Sequence, residues 1–287
     1  MPKNTDFVNV RILDNFYQTS SFYPMPVVMV STLAETGQTN LGSYSLVFPY
    51  VITGEHAMML ICRVDSNTSQ NIKRTGLAAL NFILYDKRLL KNAVQLGYPG
   101  ETTAEKMERS IYTLIPSQRQ KKDAGITYPE IVREAFQVFE CTWDDSYTFR
   151  PNEQEAHYLL RIDDILMKER WHVALLNGKG FPTMPIDYGY RNNTDFWFAE
   201  HKKPFNVPIP KDRGVPVDAV QYAADRLDPD IRWEREACAK IVNVPRVFLK
   251  TVMTQINEEA KRRGVKLITP DLLDEIRDKR SQEKKGG

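Results

Sequence analysis

Three strand-like runs follow one another between residues 24 and 64 with no helix between them. Residues 24–33, PMPVVMVSTL, are rich in Val and Met and carry no charge. Residues 34–40, AETGQTN, make a turn with Gly37 at its middle, where a positive φ suits glycine. A second run covers 41–48, LGSYSLVF, and a third covers 56–64, HAMMLICRV. Strands joined by turns pair antiparallel, whereas parallel neighbours need a helical crossover. The opening of the chain therefore predicts an antiparallel sheet or barrel and argues against βαβ units.

The pattern continues as a β-rich body with helices. Asp65 or Ser66 can cap a short helix that Gly76 ends. A strand follows at 77–84, with helices at 87–95 and 103–112, where Thr102 and Glu105 have capping-box spacing. The polar stretch 113–128 reads as a surface excursion, Pro129 opens a short helix, and 136–143 and 156–167 read as strands. From 177 to 216 six prolines and many aromatics predict an extended wrapping segment or lid. Helical spacing returns at 217–227, 230–243, 246–263 and 270–281, with Thr269 as cap and Pro270 in the first turn of the last. The expected organisation is a β-rich domain over 1–200 and a helical extension over 201–287, serving as lid or dimer support.

Composition narrows the function classes. The 287 residues can bury a core without staples. Lys plus Arg is 39 against 37 for Asp plus Glu, a balance that argues against a nucleic-acid binder. No apolar stretch approaches the roughly 20 residues that span a bilayer, and the N-terminus lacks a secretory signal core. The widely spaced Cys62, Cys141 and Cys238 read as reduced thiols, so the expectation is a cytoplasmic protein off the membrane. His56, His157, His172 and His201 form no metal-ligand spacing, so no metal site is expected. There is no GxGxxG or GxxxxGK[ST], which excludes the familiar dinucleotide and P-loop signatures. The pairs Asp144–Asp145 and Asp163–Asp164 point to opposite faces if they lie on strands, and they read as surface charge.

The most informative stretch is Arg63 to Ile72, RVDSNTSQNI. A strand end delivers an arginine, and a helix start offers free backbone N–H groups and several hydroxyls. That set suits a phosphate dianion. It also suits a plain helix cap beside a surface arginine. The aromatics Tyr188, Tyr190, Phe196, Trp197 and Phe198 can stack on a planar ligand, or anchor a wrapping arm or subunit contact. Arg246, Lys250, Lys261, Arg262 and Arg263 fit a solvated helix face paired with Glu258 and Glu259 better than an RNA contact.

In order and spacing these pieces resemble the flavin reductase-like FMN-binding family, the flavoredoxin group with a split β-barrel. The resemblance runs from Pro24–Thr32 through Gly37–Asn40 and Ser45–Pro49, is strongest at Arg63 and Ser66–Ile72, and continues at Gly76, Asn81–Phe82, Glu140–Cys141 and His157–Asp163. It covers about residues 20–190. The turn Thr53-Gly54-Glu55-His56 departs from the Asp-Pro-Pro common in the family, and the chain after about residue 200 exceeds the usual length.

The resemblance implies FMN bound at a homodimer interface. Ser31, Thr32, Asn40 and Ser45 would lie near the ring or ribityl chain, and Arg63, Ser66, Thr68 and Ser69 would hold the phosphate. It implies an oxidoreductase in which NADH or NADPH passes a hydride to FMN, and electrons move on to free flavin, oxygen or a partner protein. Such chemistry requires no side-chain acid or base; His56 and His157 are the weak candidates for tuning or proton delivery, and a structural role suits each better. Two alternatives stand beside it: a flavin-binding electron carrier or sensor without NAD(P)H activity, and a β-barrel module that binds RNA through its basic helix.

Overall fold

The computed structural model describes residues 7–123, 125–150, 153–190, 194–207, 217–244 and 246–283. The chain divides between Pro204 and Phe205 into two compact units.

In the first unit, helices α1 (Phe16–Thr19), α2 (Asn67–Thr75), α3 (Lys87–Gly97), α4 (Thr103–Glu108) and α5 (Glu169–Asn177) surround twelve strands. These are β1 (Met25–Pro26), β2 (Val28–Leu33), β3 (Thr39–Tyr44), β4 (Val47–Val51), β5 (Ala57–Arg63), β6 (Leu77–Ile83), β7 (Leu114–Ile115), β8 (Ile131–Val132), β9 (Ala135–Trp143), β10 (Glu155–Met167), β11 (Pro185–Tyr190) and β12 (Phe196–Glu200). Seven of them form one antiparallel sheet in the order β3-β2-β6-β9-β10-β5-β4.

The two edges of this sheet, β3 and β4, are consecutive in the chain, and only Ser45 and Leu46 lie between them. Six strand spacings laid flat would separate the edges by about 29 Å. The three steps from Tyr44 to Val47 reach at most about 11 Å. The sheet must therefore curl until its edges meet, and it does so as a curled half-barrel. The expected single strand over 41–48 is in fact two strands that turn this corner.

Barrel closure explains why all six residues of β2 are buried, the apolar Val28–Val30 and Leu33 together with Ser31 and Thr32. Val28 and Val30 join Leu60, Ile72, Leu80 and Leu160 in one core. Met29 faces the opposite way and joins Leu89, Leu90, Ala93 and Leu96 of α3 in a second core. A strand buried on both faces has no polar alternation to show. Each fully buried aliphatic side chain here contributes roughly 1.5–3 kcal/mol.

Local signals place the helices. Ser66 caps α2 by accepting from the Ser69 N–H at 3.1 Å, and Gly76 ends it with φ of 69°. Thr102 and Glu105 form a reciprocal capping box on α4, which ends at Glu108, four residues short of the expected end. Residues 129–130 form no helix; instead Ile131–Val132 pairs with Leu114–Ile115. The proline-rich stretch holds the hairpin β11–β12, which pairs with β1. A bulge in β10 between Ile162 and Asp164 breaks the strict alternation. Asp163 bonds Arg119 at 2.8 Å and Asp164 bonds Lys122 at 2.8 Å, so both carboxylates hold the 113–128 excursion rather than standing free at the surface.

The second unit has α6 (Val217–Leu227), β13 (Arg232–Trp233), α7 (Arg235–Lys240), α8 (Arg246–Arg262), β14 (Leu267–Ile268) and α9 (Pro270–Glu283). The expected helix over 230–243 is a short strand followed by α7. Val220, Trp233, Met253, Ile256, Ile268 and Ile276 build its own core. Trp233 Nε1 donates to Asn257 Oδ1 at 2.9 Å inside it. The cations at the end of α8 are paired: Lys261 with Asp228, Arg262 with Glu259, and Arg263 with Glu259 and Glu275. Among the described residues no helix is long and apolar enough to cross a membrane.

Candidate anion and ring-binding site

The closed corner of the barrel, the start of α2 and the loop before α4 enclose a cavity of about 380 Å³. Arg63, Ser66, Asn67, Thr68, Thr102 and Lys106 line it. Asn67 Nδ2 donates to the Glu101 carbonyl at 2.9 Å, which ties the loop to the helix start. Gly42 of β3 forms part of the wall, and a Cβ there would stand 2.7 Å from the Tyr44 ring and 2.9 Å from Thr68 Oγ1. Real Cβ atoms do not approach so closely, so a side chain here would have to displace Tyr44 or Thr68.

Lys106 is the residue the sequence reading missed. It is only 6% exposed yet lines the cavity. Burial lowers its amine to about 8, against an opposing pull from Glu101 and with a small further lowering from Arg109. Glu101 bonds Arg109 instead, and among the described residues no carboxylate pairs with the Lys106 ammonium. A buried cation facing a cavity is stabilised by an anion within that cavity. Arg63 stands at the exposed rim and forms a two-point pair with Asp65 at 2.9 and 2.6 Å. That hydrogen-bonded pair raises the Arg63 guanidinium and lowers the Asp65 carboxyl. An incoming anion would compete with Asp65 for this arginine.

A second cavity of about 500 Å³ adjoins the first. Ser43, Tyr44, Arg63, Gly97, Tyr98 and Pro99 border both. Its own walls include Tyr17 of α1, Ser45 at the barrel corner, and Asp187, Phe196 and Phe198 of the β11–β12 hairpin. The Ser45 hydroxyl donates to Asp187 Oδ2, and the Gly189 N–H donates to Asp187 Oδ1 at 2.7 Å. Burial, then the Asp187 and Glu155 carboxylates, push the Tyr17 hydroxyl up to about 12. Burial, with a smaller push from Cys62, takes Tyr44 to about 12, partly offset by hydrogen bonds from Thr68 and Ser66. Both phenols are therefore neutral donors at physiological pH.

Of the eight residues proposed from sequence to hold a cofactor, four meet these cavities. Ser45 and Arg63 line the larger, and Arg63, Ser66 and Thr68 line the smaller. The other four are fully buried behind them. Ser31 Oγ accepts from Asn81 Nδ2 at 2.8 Å. Thr32 Oγ1 accepts from Asn71 Nδ2 at 3.1 Å and, at a longer 3.4 Å, from Asn40 Nδ2. Ser69 Oγ shares a hydrogen bond with the Tyr158 hydroxyl at 2.7 Å. These four are buried braces behind the cavity walls, Ser31 on the Met29 face of β2 and Thr32 on the opposite face. His56 is exposed and His157 lies 5.8 Å from the Phe149 ring; neither lines either cavity. Among the described residues no group of three or more His, Cys, Asp or Glu could hold a metal ion.

A cationic, hydroxyl-rich pocket beside a helix start thus adjoins an aromatic chamber. Such a pair suits an elongated ligand with a phosphate at one end and a planar ring at the other. No family model matches the chain. No curated protein matches it either. Solved structures do match. Flavoredoxin from Methanosarcina acetivorans superposes with a TM-score of 0.51 at 16% identity, covering 70% of this chain and 95% of that one. Nitrilotriacetate monooxygenase component B from Bacillus cereus gives 0.51 at 16% identity, covering 70% of this chain and all of that one. The 2-nitrobenzoate 2-nitroreductase NbaA of Pseudomonas fluorescens gives 0.50 at 16% identity, covering 66% and 86%. The chain has the split-barrel fold of these flavoredoxin and flavin reductase-like structures.

Proposed function

We propose that this chain binds FMN and acts as a flavin-dependent oxidoreductase. The observation that carries the reading is Lys106: a buried ammonium with no carboxylate partner faces a cavity that adjoins an aromatic chamber. The donor set fits a flavin mononucleotide. Lys106, Ser66, Thr68 and the first N–H groups of α2 would hold the phosphate, with Arg63 closing the exposed side. Gly42 keeps the wall open for it. Tyr17, Tyr98, Phe196 and Phe198 would enclose the ring and limit its contact with water. When bound, FMN supplies the two-electron redox chemistry, and the protein contributes position and electrostatics.

NADH or NADPH is the expected electron source, with free flavin, oxygen or a protein as acceptor. The chain's own part in that step is to align the donor ring and exclude water; no residue of the site need move a proton. A homodimer is part of the reading. The stretch ahead of β1 exposes Phe7 (80%), Ile12 (82%) and Phe22 (79%), a run of apolar surface that a second copy would cover.

The test is flavin retention. Purified protein is loaded with FMN, desalted and scanned between 300 and 550 nm, and then mixed with NADH or NADPH without oxygen. Retained flavin that bleaches with either nucleotide supports the full reading. Retained flavin that bleaches with neither leaves an electron carrier, and folded protein that holds no flavin by titration removes the reading.

A further inference from the structure

We propose that Asp65 is a built-in competitor for the ligand phosphate: its carboxylate holds Arg63 while the smaller cavity is empty and takes the arginine back as the phosphate leaves, so the bound flavin is released faster than the other donors alone would allow. This rests on the flavin reading above and adds to it how firmly the ligand is held.

The competitor is delivered by a pinned turn. Arg63 ends β5, and the Val64 N–H donates to the Gln154 carbonyl at 3.1 Å. The Ser66 N–H and the Ser66 hydroxyl both donate to the Arg63 carbonyl, at 3.2 and 2.8 Å. The turn between them brings residue 65 back beside residue 63. Arg63 Nε donates to Asp65 Oδ1 at 2.9 Å and Arg63 Nη2 donates to Asp65 Oδ2 at 2.6 Å. Among the described residues neither side chain has another side-chain partner. The arginine holds the Asp65 carboxyl below its usual range, so the carboxylate is charged at physiological pH. Both residues line the smaller cavity together with Ser66, Thr68 and Lys106.

The edge of the guanidinium that grips Asp65 is the edge that would grip a phosphate, because both acids accept from the same two-pronged fork. The two acids therefore exclude each other. The side chains are 60% and 64% exposed, so the pair can part without disturbing the core. An exposed ion pair is weak, and a phosphate dianion carries twice its charge, so the ligand wins the arginine. It wins against a tethered rival only two residues away, which is never diluted. Once displaced, the carboxylate still stands at the cavity and repels the phosphate. Both effects have one sign: they weaken the hold on the anion, and they act mainly on its escape. Lys106, 6% exposed, has no such rival and keeps its pull on the anion throughout.

The experiment is a stopped-flow fluorescence measurement of FMN binding and release by the full chain, with Asp65→Asn, Arg63→Ala and the double variant beside wild type. Asp65→Asn is expected to bind FMN about fivefold more tightly, chiefly through slower release. In the Arg63→Ala background the same change is expected to give about twofold or less, because the arginine under competition is gone. Riboflavin, which lacks the phosphate, is expected to bind wild type and Asp65→Asn alike. Unchanged or weaker FMN binding by Asp65→Asn would overturn the proposal. An equal gain in both backgrounds would overturn it too, since Asp65 would then act only as a distant charge. A gain shared by riboflavin would mean a reshaped pocket and has the same consequence. Should Asp65→Asn be unstable, Asp65→Ser carries the same expectations. Folded wild type that binds no FMN removes the flavin reading and the competitor with it, whereas FMN bound equally by wild type and Asp65→Asn removes the competitor alone.

Discussion

Glu101 bonds Arg109 and leaves the neighbouring Lys106 ammonium buried against the cavity wall. Burial holds the Lys106 amine at about 8, against 10.5 for a free side chain. Because the folded value is depressed, the folded chain binds this proton less tightly than the unfolded one. Without a ligand, stability contributed by this group rises with pH between about 8 and 10.5, by on the order of 3 kcal/mol in total. Anion binding runs the other way, since it needs the charged form. FMN affinity should therefore fall as pH rises above about 8, and Lys106→Gln should weaken it at least tenfold at pH 7 and flatten that dependence. Fluorescence titrations of FMN at pH 6.5, 7.5 and 8.5 check both statements.

Gly42→Ala should spare the fold and damage the site. The new methyl group would meet the Tyr44 ring and Thr68 Oγ1. Tyr44, which borders both cavities, or Thr68 must then give way. FMN affinity should drop by tenfold or more while the thermal midpoint moves by a few degrees. Equal affinity for the variant and wild type would place the ligand elsewhere.

Asn81→Ala should cost stability rather than binding contacts. The Asn81 amide donates to Ser31 Oγ at 2.8 Å and to the Met29 carbonyl at 2.9 Å, and its oxygen accepts from the Val132 N–H at 2.8 Å. Removing it strands several buried polar groups, each worth about 1–3 kcal/mol when unsatisfied. A loss of about 2–4 kcal/mol in urea unfolding is expected, with FMN affinity per folded molecule within threefold of wild type.

Charge placed in the exposed apolar stretch should dissociate the expected dimer. Ile12→Asp combined with Phe22→Asp puts two carboxylates where a second copy would sit. Light scattering coupled to size exclusion should then report one chain per particle instead of two. A wild-type protein that is already monomeric at micromolar concentration would remove the dimer from the proposal.

Much of the barrel was legible because its signals are local. The Ser66 cap and Gly76 stop bracket α2, and turns bracket β2, β5 and β6. The cavity lining from Arg63 to Thr68 was legible for the same reason. Lys106 was not, since its burial arises only when α4 docks beside β3, and no short-range pattern marks that. The cap at Thr102 offered the one hint, because it starts the short helix that carries Lys106 inward. Asp163 and Asp164 misled because a bulge, invisible to period-two reasoning, turns them both toward one excursion. Helix α5 escaped because Trp, His and Val weaken its helical signal, leaving Gly178 as its clearest mark.

The corner at Ser45 and Leu46 has a further consequence. The strands on its two sides are edges of the same sheet, so the barrel carries a seam where edge backbone is not zipped to a neighbour. The larger cavity touches this seam from Ser43 to Leu46 and reaches the end of β5 at Ile61, Cys62 and Arg63. A molecule seated there works as a rivet, joining parts of the sheet that hydrogen bonds leave unjoined. Ligand occupancy should then slow amide exchange along β3 and β4 more than anywhere else in the barrel, even at residues the ligand never touches.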